Sequence, residues 1–158
     1  MYLVMILALF VVLPLASTVL DRFLRPAPAP WLDLALKWFV FWPVGVRLLT
    51  AGLSQITRPD YTAGEIFQIH DPVVIPFLQE LGFANIAMGL VAFASLLVAP
   101  WRKAAALMGI VFFGAAGIRH ALPGEAMNTL KLIAMVSDLY IAALLAVLLV
   151  LIWRRSRA

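Results

Sequence analysis

The chain has no cysteine, so it forms neither a disulfide nor an iron–sulfur cluster and offers no thiolate to haem or copper. Charge is scarce as well. Of 158 residues 13% are charged and 65% hydrophobic, and the mean hydropathy is +1.02, which excludes the balance of an ordinary soluble domain. His70 and His120 are the only histidines, which leaves no obvious third ligand for a catalytic zinc. Both fall outside or at the ends of the apolar runs, so haem and metal are disfavoured as cofactors. No recognisable nucleotide, haem or catalytic motif is present. The apolar runs lack period-two alternation, and this argues against a membrane barrel.

What is there is an all-α chain of five apolar runs, each of membrane-spanning length, because a helix satisfies its backbone groups without water. Residues 1–20 form the first run; no basic residue precedes it, so it reads as a retained helix rather than a secretory signal. Residues 21–30, DRFLRPAPAP, hold three prolines and read as a stiff connection. The second helix is expected over 31–56, with Asp33 and Lys37 four apart on one face, a kink at Pro43 and Arg47 deep within it. Residues 57–71 are the one extended polar stretch and suit a short surface helix, with Tyr61 and Phe67 as interfacial anchors. A third run at 76–98 carries Gln79, Glu80 and Asn85 near its beginning. Fourth and fifth helices follow at 103–122 and 127–153, separated by Pro123, Gly124 and Glu125.

The basic residues flank these runs unevenly. Arg22, Arg25, Arg102, Lys103, Arg154, Arg155 and Arg157 share one side; the other has Arg58, and Arg119 if it is counted as flanking. By the positive-inside rule the N-terminus is outside and the C-terminus cytoplasmic, in a cell membrane crossed several times. The net charge of +4 therefore points to the lipid bilayer and not to nucleic acid as the partner.

A carboxylate inside hydrocarbon is costly unless it is paired or faces a cavity. Val40-Phe41-Trp42-Pro43-Val44-Gly45-Val46-Arg47 and Val111-Phe112-Phe113-Gly114-Ala115-Ala116-Gly117-Ile118-Arg119 echo one another, and the helix after each carries an acid, Glu80 or Asp138. From the helical rise, Arg47 lies ~24 Å from Trp31 and Arg119 ~25 Å from Arg102, at a comparable depth. Arg47 with Glu80 is the first pairing expected, with Arg47–Asp138 and Arg119–Glu80 as the alternatives. The simplest role for these charges is mutual neutralisation that locks helix register, with Ser54, Gln55, Asn85 and Asn128 completing hydrogen bonds. The sharper one is an outward-facing site built from Arg47, Glu80, Asn85, Arg119, His120 and Asp138, holding an anion or a quinone head group.

The segments Gly45-Val46-Arg47-Leu48-Leu49-Thr50-Ala51-Gly52-Leu53, Phe77-Leu78-Gln79-Glu80-Leu81-Gly82-Phe83-Ala84-Asn85 and Gly117-Ile118-Arg119-His120 resemble the DoxX-like small bacterial membrane proteins. The likeness is to a branch of that group with a Glu-Leu-Gly-Phe-Ala-Asn type of third-helix motif. The likeness covers about 39–150 and implies a four-helix core, here 31–153; residues 1–20, an extra N-terminal helix able to dock a partner, depart from the simplest pattern of that group, and 1–158 reads as a single transmembrane domain. It also implies that Glu80 and its motif neighbours matter. The expected function is a non-catalytic accessory or binding subunit of a membrane complex, or a homo-oligomer. A quinone-linked oxidoreductase component is the alternative, and a small transporter the third.

Overall fold

The computed structural model describes residues 2–27, 29–122 and 127–157. Met1, Pro28 and the turn expected at Pro123, Gly124 and Glu125 lie outside them. Among the described residues the chain has no strand, and five helices are long and apolar enough to cross a membrane: α1 Tyr2–Leu24, α2 Trp31–Thr57, α3 Pro72–Ala94, α4 Trp101–Ala121 and α5 Thr129–Arg155. The molecule is a multi-pass helical membrane protein. The ends follow local chemistry: Asp71 accepts from the Val73 amide (2.9 Å) at the start of α3, and Asn128 from the Lys131 amide (2.8 Å) at the start of α5. The Arg102 guanidinium donates back to the Ser95 carbonyl (3.1 Å), covering the C-terminal end of α3.

Two antiparallel hairpins, α2–α3 and α4–α5, make up most of the bundle. In the first, the backbones touch through glycine. A Cβ added at Gly52 would stand 2.6 Å from the Gly82 carbonyl oxygen, and one at Gly89 2.9 Å from the Leu49 amide. Small residues permit this approach, which drives helix association where lipid removes the hydrophobic force. The inner face of α3 runs Leu78, Gly82, Asn85, Gly89, Ala92, alternating steps of four and three, the seam of a left-handed packing.

Two of the proline-bearing helices, α1 and α2, widen near their prolines. Ala8–Val12, just before Pro14, and Phe41–Val46, containing Pro43, are π-helical turns. A proline ring presses on the carbonyl four residues back, and a wider turn makes room for it. The kink expected at Pro43 thus takes the form of an inserted turn, and Phe10 and Arg47 lie within or directly after these two segments.

The start of the chain differs from expectation. Asp21 does not begin a connection but lies in the last turns of α1, buried, and takes Lys37 Nζ (2.5 Å) and Trp38 Nε1 (3.0 Å) from α2 and an ion pair from Arg25. Trp42 Nε1 donates to Ser17 Oγ at 2.9 Å, fastening α1 further along. Lys37 is therefore not the partner of Asp33, which reaches across to Arg155 at the C-terminal end of α5 (2.6 Å). A contact between residues 122 positions apart outcompetes the one four apart because Lys37 faces inward and Asp33 faces the rim. Helix α1 contributes Ile6, Leu9 and Phe10 to the core with Val44, Leu48, Phe113 and Ile141.

Candidate functional site

At the end of the bundle opposite the arginine-rich tail, all five helices border one cavity of ≈ 570 Å³. A surface segment lines part of it: a helical turn Pro59–Tyr61 and a π-helical turn Thr62–Phe67 lie against the bundle, and Gln68 in the left-handed region (φ 57°) reverses the chain. Tyr61 and Phe67, expected as interfacial anchors, line this cavity. Its apolar wall includes Leu48, Leu81 and Phe112.

Arg47 and Asp138 meet here. An Arg47 terminal nitrogen lies 3.1 Å from Asp138 Oδ1, with the carboxylate side chain only 5% exposed. The contact has ion-pair distance without the angle of a hydrogen bond, and Asp138 Oδ1 accepts none from the protein. The Arg47 guanidinium also lies 5.3 Å from the Phe10 ring centroid and 5.1 Å from that of Phe113, so two aromatic rings border the cation. Asn85, 2% exposed, donates to Gln55 Oε1 at 2.7 Å, while its own Oδ1 is buried and accepts nothing from the protein.

Of the six residues expected at the site, Arg47, Asn85, His120 and Asp138 line the cavity. Glu80 and Arg119 do not; both are exposed. The expected Arg47–Glu80 pair is corrected by register: Gly89 packs between Gly45 and Leu49, level with Arg47, and Glu80 lies nine residues, or ~13 Å, nearer the helix start. Direction separates them too. Glu80 is two residues beyond buried Leu78, and Arg119 two beyond buried Gly117, so each turns ~200° from the inner face. Asp138 adjoins Ser137 and precedes Ile141 by three, all on the buried face of α5. His70 is exposed near Gly64 and is not among the residues bordering the cavity.

Phe10 and Phe113 are the members that sequence reasoning missed. Phe113 was findable, since Gly109, Phe113 and Gly117 recur every four residues on one face of α4. Phe10 carried no comparable signal, because α1 is apolar on all sides and its inward face appears only when Ser17 and Asp21 are known to dock on α2.

Chemically the arrangement can hold a polar head group near the Arg47 guanidinium, with an apolar body against the wall. Neither a curated protein nor a solved structure matches the chain. The match to a family model runs over residues 1–158, and the chain belongs to the DUF6790 family, a family of unknown function.

Proposed function

We propose that the protein is a non-catalytic binding subunit of a bacterial cell membrane, which holds a small amphiphile in the cavity with the cavity end outside and the arginine-rich end in the cytoplasm. The carrying observation is the Arg47–Asp138 pair, its carboxylate buried and its guanidinium part-buried, set in the wall of a ≈ 570 Å³ cavity with apolar sides. That volume lies within the range of small-molecule pockets. A pair serving register alone needs no space beside it, and intramembrane charges bordering a cavity are typical of ligand sites. The orientation rests on the uneven arginines and lysines.

Native mass spectrometry on protein extracted in gentle detergent, with absorption spectra on the same sample, tests the reading. The expected result is a retained small-molecule adduct that the Arg47→Leu/Asp138→Leu variant loses, together with copurifying subunits. A bare chain without adduct or partner would overturn it. A quinone-linked oxidoreductase component is the second reading, supported by the DoxX-like resemblance and by Arg47, a donor suited to a quinone carbonyl. It fails if the protein neither retains a quinone nor alters its redox state with its partners present.

A further inference from the structure

Two arginines, Arg47 and Arg58, border this cavity, and Asp138 is the one carboxylate among the described residues that does so. Asp138 answers Arg47 at 3.1 Å, whereas the Arg58 side chain makes no ion pair or hydrogen bond among the described residues. With His120 neutral, two arginines against one carboxylate leave the lining positive. Helix α2 turns one face to the cavity: Arg47, Ala51, Ser54 and Arg58 follow in steps of four, three and four, and the turns after it add Tyr61 and Thr62. The hydroxyls of Ser54, Tyr61 and Thr62 make no hydrogen bond to the protein among the described residues, although Thr62 is only 5% exposed. Each hydroxyl can donate, and a guanidinium can do nothing else. Acceptors on the same wall are engaged: the Asp138 carboxylate with Arg47, and the Gln55 and Asn85 side chains with one another.

A head group that brings acceptors and negative charge meets both surpluses. An ammonium head would face like charge at Arg58, and a neutral head leaves that charge unanswered. A phosphate of the surrounding bilayer would answer Arg58 alone; the buried Thr62 calls for an anion that enters the cavity. We infer that the cavity takes an amphiphile with an anionic head group, held at Arg58 and by hydroxyls of Ser54, Tyr61 and Thr62, with its apolar chain against Leu81 and Phe112. This rests on the binding reading above and names the charge of its ligand. Two sources share that chemistry, an alkyl carboxylate and an alkyl phosphate.

Isothermal titration calorimetry on the full chain in a neutral detergent, with protein-free micelles as the blank, compares four probes of one tail length: decanoate, decyl phosphate, decanol and decyltrimethylammonium. The inference expects at least one anion to bind ~10-fold or more tightly than decanol and the ammonium, the tighter anion naming the source. Arg58→Gln should weaken anion binding by at least ~5-fold and Thr62→Val by about threefold, with decanol unaffected. Arg119→Gln removes an exposed arginine that does not border the cavity and should leave every affinity unchanged. Decanol or ammonium binding as tight as the anions would overturn the inference and leave the binding reading standing. An equal loss in Arg58→Gln and Arg119→Gln would do the same, since it would place the attraction in the general field of the protein. Binding of none of the four would overturn both. The wild-type comparison decides the head-group charge whether or not the variants fold.

Discussion

Arg47 and Asp138 carry opposite charges inside the helical bundle, the carboxylate buried and the guanidinium part-buried, so each is stabilised by the other. Arg47→Leu or Asp138→Leu alone leaves an uncompensated buried charge and should destabilise by roughly 3 kcal/mol, whereas the double variant recovers much of the loss. In thermal unfolding in detergent the cycle should show a coupling of at least ~1 kcal/mol; additive single effects would exclude a direct interaction. Glu80→Gln should change stability by no more than about 0.5 kcal/mol, since Glu80 is exposed and remote from Arg47. Motif likeness singles out Glu80, yet its side of α3 follows from angular position. The residues four and three apart from Leu78 onward are buried, and Glu80 is in neither step. That seam was legible in the sequence as Gly82, Asn85 and Gly89. Its significance was hidden because phenylalanines and leucines occupy the other faces of the helix as well.

At the scale of helices, glycine decides how closely the first hairpin packs. Gly52→Ala or Gly82→Ala places a methyl group under 3.0 Å from the facing backbone, so each should cost about 1–3 kcal/mol by forcing α2 and α3 apart. Gly114→Ala offers the internal control: its added Cβ meets only the Ala142 methyl at 3.8 Å, an ordinary contact. That substitution should be neutral or stabilise by up to ~1 kcal/mol through helix propensity. Melting temperatures of the three variants measured side by side check the contrast; equal losses at all three would show that hairpin spacing is not what Gly52 and Gly82 control. Polar contacts fasten α1 instead. Because Asp21 joins Lys37 and Trp38, Asp21→Leu should loosen the basic end of α1 and shift the emission of Trp38 to the red, an effect absent in Asp33→Leu. The Lys37 partner was illegible from spacing: Asp33 is the nearer acid in sequence, but only the packed bundle turns Lys37 towards α1.

For the whole molecule, the uneven basic residues predict that a reporter active only outside the cytoplasm works when fused after residue 70, and that one fluorescent only in the cytoplasm works when fused after residue 157. The reverse pattern would invert the proposed orientation and put the cavity on the inner side. Composition by itself determined the all-α class, the five apolar helices and the clustering of arginine at one end. These follow from hydropathy and run length, properties that each segment carries alone and that lipid selects without reference to the rest of the chain. It also narrowed the site to six polar residues. Only the tertiary structure decided that four of them border one cavity, that Asp138 and not Glu80 answers Arg47, and that the surface segment ending at Phe67 lines the space beside them. Those outcomes depend on helix rotation and register, which the glycine contacts and the polar docking of α1 set between segments, and no single segment encodes them.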